Sequence, residues 1–131
     1  MNWLKRIDDC AKNKDTIRIS SVDENFSSFS EQYKKYCNEV FSESFFSTEK
    51  NRSEIYSAIE RGINILNNVW IDVDDIPLNS GFSPYGLISY LTIPINKYIY
   101  DFCENCDIRK TWNETLYRLA IERKEHWFVQ L

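Results

Sequence analysis

The residues whose types and spacing could do chemistry are Cys103, Cys106, His126 and the acidic run Asp72-Val73-Asp74-Asp75. Cys103-Glu104-Asn105-Cys106 is a C-x-x-C pair, which makes half of a tetrahedral zinc site when a second pair stands at suitable spacing. Cys10 and Cys37 are isolated, and His126 is the only histidine. As a redox motif the pair would open a helix after a strand in a βαβ unit. Here it falls at an expected helix end, so a structural role is the expectation. A histidine that activates a nucleophile needs a serine or cysteine beside it and an orienting carboxylate. His126 instead follows Arg123, Lys124 and Glu125 and precedes Trp127-Phe128, which reads as a surface or tail-packing residue. Gly62, Gly81 and Gly86 form no glycine-rich phosphate loop.

The acidic run is the sharpest feature. A calcium loop of the EF-hand type would need a third ligand at Ile76 and glycine at Pro77. A magnesium site would need further carboxylates, and Asp72 and Asp74 would face alike only in an extended segment. What is left is an exposed acidic loop flanked by Trp70, Ile71, Ile76, Phe82 and Tyr85. Aromatic anchors beside like charges suit a protein interface, where the charges steer a basic partner. Asp72, Asp74, Asp75, Trp70, Phe82 and Tyr85 are therefore the candidate partner-binding residues. The plainer alternative is a solvated loop that supplies caps to the next helix. No catalytic residue, metal ligand or cofactor is expected, and the chain reads as a binding protein rather than an enzyme.

The elements that must position this loop are helical. Trp3, Leu4, Ile7, Cys10 and Ala11 predict a helix over 3–12, with Asn2 as cap. Thr16 to Ser20 alternates like a strand but has no partner in sight, so it reads as a loop. A helix over 29–41 is predicted from Phe29, Tyr33, Tyr36, Cys37, Val40 and Phe41, opened by a Ser28/Glu31 capping box. Asn51 and Glu54 open a third, with Ile55, Ile59, Ile63, Leu66 and Trp70 along one face. Gly62 lies inside it at a cost of ~1 kcal/mol against alanine, either tolerated or marking a close crossing. Residues 71–82 read as irregular. Ser83-Pro84 then starts a helix through Leu87, Leu91, Ile95, Tyr98 and Phe102, which Pro94 should kink or split, with Thr92 capping the second half. A buried strand over 87–93 is the competing reading. Asp107 caps a last helix over 108–125, with Trp112, Leu116, Leu119, Ala120 and Arg123 on one face, and the apolar end of the chain packs back on the core.

The fold class expected is all-α: a single domain over 1–131 with five or six irregularly packed helices. The length of 131 residues is that of one domain. With 8 Phe, 8 Tyr and 4 Trp the chain is too aromatic to be disordered, and some aromatics should lie outside the core. Sixteen basic residues against 20 acidic ones give a net charge of -4, without the basic stripe of a nucleic-acid binder. No signal peptide or membrane span is expected, so the location read from the sequence is cytoplasmic and the four cysteines are expected as thiols.

A small acidic helical chain, rich in Asn, Ile, Lys and Ser and carrying the run Asp72, Asp74, Asp75, resembles the immunity proteins of bacterial toxin–immunity pairs, including those of contact-dependent growth inhibition. The resemblance implies tight binding and neutralisation of a cognate cationic toxin, often a nuclease. The acidic loop would stand in for nucleic-acid phosphate, with no membrane, nucleic acid or small-molecule substrate as partner. A phage or mobile-element inhibitor, or an adaptor, shares the same physics and differs only in its partner.

Overall fold

The computed structural model describes residues 2–20, 22–49, 51–72, 85–104 and 106–123. These form six helices and one pair of short strands. Helix α1 (Trp3–Asn13) starts as its sequence predicts, with Asn2 Oδ1 accepting from the Lys5 N–H at 3.1 Å. It ends where Lys14 turns left-handed at φ 64° and donates back to the Cys10 carbonyl. Trp3, Ile7, Cys10 and Ala11 are its buried face. The Ala11 carbonyl, in the last turn, accepts from Asn64 Nδ2 at 2.8 Å, which gives a helix-end acceptor a partner.

Residues 17–20, expected as a loop, are strand β1 (Ile17–Ser20). Its partner is β2 (Val69–Asp72), running parallel with Ile17 opposite Val69 and Ser20 opposite Asp72. The alternation was therefore meaningful: Ile17 and Ile19 are buried while Arg18 is exposed. The partner lies three helices further on, and Trp70 belongs to it rather than to the helical face that spacing alone placed it on.

Helix α2 (Phe26–Val40) begins three residues before the expected start. Ser28 and Glu31 form no box; instead Asp23 Oδ1 accepts from the Asn25 N–H at 2.7 Å in a side-chain turn just ahead of the helix. The earlier start places Phe26 in the core, in ring contact with Phe29, which in turn meets Trp3 and Tyr33 at centroid distances of 5.2 and 5.7 Å. Each such pair adds about 0.5–1.5 kcal/mol beyond its buried area. The short α3 (Glu43–Ser47) is capped by Ser42, whose hydroxyl accepts from the Phe45 N–H at 3.2 Å.

Helix α4 (Arg52–Asn68) carries the cap its sequence announces, with Asn51 Oδ1 accepting from the Glu54 N–H at 2.8 Å. Gly62 marks a close crossing. A Cβ there would stand 2.8 Å from Ile95 Cδ1 and 3.5 Å from both Leu91 Cδ1 and Trp112 Cζ3.

Helix α5 (Tyr85–Phe102) settles the choice between helix and strand. It also runs through Pro94 without dividing, contrary to the expected break. Thr92 is buried and caps nothing; its hydroxyl donates to the Ile88 carbonyl at 2.9 Å. Tyr90, whose carbonyl Pro94 leaves without an N–H, lies on the exposed side, where water can satisfy it. The buried row is Leu87, Leu91, Ile95 and Ile99, while Phe102, expected on that face, is exposed.

Helix α6 (Asp107–Arg123) buries Trp112, Thr115 and Leu119. Asp107 is its first residue rather than its cap, and the Cys106 carbonyl accepts from the Lys110 N–H. The expected thiol state holds for Cys10 and Cys37, which are free and buried. It does not hold for Cys103 and Cys106, which are joined in a disulfide across the α5–α6 turn. Their Cα atoms are 5.9 Å apart, within ordinary bridging distance, because the turn folds the C-x-x-C back on itself. The expected packing of the tail, with His126, lies outside the described residues.

Candidate partner-binding surface

The residues singled out for partner binding are only partly placed. Trp70 sits in β2, half-buried, with the Arg18 guanidinium of β1 5.9 Å from its ring centroid. A cation over an indole face is a favourable contact. The two residues are register partners across the strand pair. Asp72 ends β2 opposite Ser20, and Tyr85 opens α5; their side chains lie outside the described residues. So do Asp74, Asp75 and Phe82 altogether. The acidic run thus begins at the end of β2, and only its first residue lies within the described backbone.

A second surface emerges from the fold. Among the described residues, seven large hydrophobic side chains are exposed, and six of them lie on α5 and α6. Tyr90, Ile93, Tyr100 and Phe102 stand on α5; Tyr117 and Ile121 stand on α6. Ile93 and Tyr100 are one heptad apart and share a helix face with the exposed Lys97 between them. Tyr117 and Ile121 share a face of α6 in the same way, one turn apart. An open groove of about 460 Å³ runs between the two helices, lined by Asn96, Tyr100, Asp101, Arg109, Asn113 and Leu116 among others. Phe102 faces a separate groove with Phe46 and Tyr98, and exposed apolar groups with polar neighbours are a usual mark of an interaction site. The signal for this surface was present in the sequence as hydrophobic residues off the buried rows, such as Ile93 and Tyr117. Nothing in the spacing says which off-row residues a neighbouring helix will cover.

The two free thiols belong to a buried cluster and not to this surface. Burial pushes the Cys10 thiol up to about 12, helped by the charge of Asp15. Burial also raises Cys37, against a hydrogen bond with Tyr33 that pulls the other way. Tyr33 is raised by burial and by its neighbours Cys37 and Cys10. Tyr36 is raised by burial and by donating to Asp8 Oδ1 at 3.0 Å. A thiol held protonated is a poor nucleophile and metal ligand, so Cys10 and Cys37 act as small apolar side chains. No group of three or more His, Cys, Asp or Glu side chains among the described residues is arranged to hold a metal ion.

These groups make a prediction about alkali. All four have folded pKa values above their ordinary ones, so their contribution is complete below the unfolded thiol value of 9.0 and is lost as pH rises. For Cys10 the loss runs from 9.0 up to about 12. Each group that keeps its proton while its unfolded counterpart ionises costs about 1.4 kcal/mol per pH unit. Thermal melts should therefore hold steady from neutrality to the thiol value and fall steeply above it. A Cys10→Ala variant should soften that fall, and a melting curve indifferent to alkali would contradict the buried placement.

Comparison with protein-family models, with curated proteins and with solved structures gives no match. No helix among the described residues is long and apolar enough to cross a membrane.

Proposed function

We propose that this protein works by binding another protein, as a cytoplasmic immunity-type inhibitor of a cationic bacterial toxin. The observation that carries the reading is the concentration of exposed aromatic and aliphatic side chains on α5 and α6. Tyrosine is among the residues that contribute most when a protein surface is covered by a partner. The second support is charge. The chain is acidic overall, and the run Asp72, Asp74 and Asp75 begins at the last residue of β2. Acidic groups on a binding protein raise the encounter rate with a basic partner and set its orientation. Action is stoichiometric, without turnover.

The experiment is affinity capture from the source cells at low and high salt, with the Asp72→Asn/Asp74→Asn/Asp75→Asn triple variant alongside. The expected result is one basic protein at equal stoichiometry, whose toxic activity disappears as this protein is titrated in. Capture should weaken in the triple variant and at high salt. Capture of a partner that is not toxic would leave the binding surface and overturn the immunity reading. No stoichiometric partner would overturn both.

A further inference from the structure

We infer that Cys103–Cys106 is a thiol–disulfide exchange site, attacked at Cys106 by an external dithiol. The two sulfurs are joined, yet their surroundings differ sharply. Cys103 is 5% exposed and belongs to the core, closing α5 with its N–H on the Ile99 carbonyl at 3.0 Å. Cys106 is only half-buried and lines an open groove with Tyr56, Glu60, Asp107, Ile108 and Thr111. A thiolate that approaches along this groove reaches Cys106 and not Cys103.

The position of Cys106 adds a second asymmetry. It immediately precedes α6, a helix of 17 residues whose first-turn N–H groups face back toward it. A thiolate on Cys106 would be stabilised there by the positive end of the helix. That stabilisation alone would favour Cys106 as leaving group and Cys103 as the sulfur attacked. Burial of Cys103 overrides it in the first step. In the second step, when Cys106 must depart, the helix end acts in the productive direction.

The chemistry balances with a dithiol as the reductant. One thiolate of the dithiol attacks Cys106 Sγ and forms a mixed disulfide. The Cys103–Cys106 bond breaks, its electron pair passes to Cys103 Sγ, and that sulfur takes up a proton. The Arg109 guanidinium, which donates to the Cys103 carbonyl at 3.4 Å, puts a positive charge beside this residue as the thiolate leaves. The second thiol of the reductant, deprotonated, then attacks its own sulfur partner in the mixed disulfide. Cys106 departs as a thiolate. The protein gains two electrons and becomes a dithiol, and the reductant leaves as a cyclic disulfide. Glu60 and Asp107 line the groove, so an uncharged or cationic dithiol is favoured over an anionic thiol.

The test uses the wild-type protein under native conditions, with dithiothreitol as reductant, removed by rapid desalting before limiting N-ethylmaleimide is added as label. Without reductant no cysteine should react. With it, Cys103 and Cys106 should both become reactive while Cys10 and Cys37 stay unlabelled, and peptide mapping should show Cys106 labelled at least about ten-fold faster than Cys103. Labelling that requires denaturant, or Cys103 reacting as fast as Cys106, would overturn the inference. A Cys103→Ser variant should also form a mixed disulfide with an aromatic disulfide reagent about ten-fold faster than Cys106→Ser, provided circular dichroism shows both folded. Equal rates would count against it too. None of these outcomes depends on the identity of a protein partner.

Discussion

Trp112→Ala should cost this protein about 3–5 kcal/mol of folding free energy, the range for removing a large aromatic side chain from a packed core. Trp112 is fully buried at 0% exposure and stands where three helices meet. It lies on α6, its indole N–H donates to Asn96 Oδ1 of α5 at 2.6 Å, and its ring edge approaches Gly62 of α4. Alanine would remove the wedge between three helices that cannot all close at once, because Gly62 already admits Ile95 to within contact distance. Against a typical total stability of about 5–15 kcal/mol, such a loss is a large fraction. Trp112→Phe separates packing from polarity. It keeps much of the ring volume but removes the donor to Asn96 Oδ1; Asn96 is half-buried and lines the open α5–α6 groove, so water can replace the donor and the loss is about 0.5–1.5 kcal/mol. Denaturant titration of both variants, with Asn96→Ala to close the cycle, measures the coupling. A loss under about 1.5 kcal/mol for Trp112→Ala would mean that the three-helix junction is not where the fold is held.

That junction was half legible in the sequence. The row Leu87, Leu91, Ile95 and the placing of Trp112 on an apolar face came from spacing, and glycine inside a helix hinted at a close crossing. The contact with Asn96 did not, because periodicity ranks positions by hydropathy and sees nothing in a polar residue beside the stripe. Helix starts were readable where a side chain does the capping, as at Asn2 and Asn51. They were misread where the turn ahead does it, as at Asp23 and Asn25. The strand pair was out of reach for another reason. Ile17–Ser20 pairs with Val69–Asp72, and a parallel pair needs a crossover that leaves no local trace. Proline removes an N–H and crowds the previous turn, which from sequence predicts a break at Pro94. The exposed side of α5 absorbs that cost. Of the candidate site, Trp70 was legible as an aromatic flank of the acidic run. The α5–α6 surface was legible only as a surplus of aromatics, since burial is decided by neighbours and not by the residue.

The two supports for the binding function predict different kinetic losses, which lets them be tested apart. Tyr100 and Tyr117 are 77% and 72% exposed on α5 and α6, so replacing both with alanine should leave folding stability within about 0.5 kcal/mol of wild type. If a partner covers these rings, each truncation removes about 2 kcal/mol of binding, or roughly a thousand-fold in Kd for the pair. That loss should appear as faster dissociation, because short-range packing acts only after the partners have docked. Neutralising Asp72, Asp74 and Asp75 should act mainly on association instead. The on-rate should fall roughly ten-fold at low salt, and most of its dependence on ionic strength should vanish with the charges. Surface plasmon resonance against the captured toxin, at several salt concentrations, reads both effects in one series. Unchanged dissociation in Tyr100→Ala/Tyr117→Ala would take the α5–α6 face out of the interface. A salt-independent on-rate in the wild type would remove the acidic run from the encounter. An acid variant that lost affinity only through dissociation would point to a different role for the run: one of its carboxylates is buried against a basic group of the toxin and fixes the docked state.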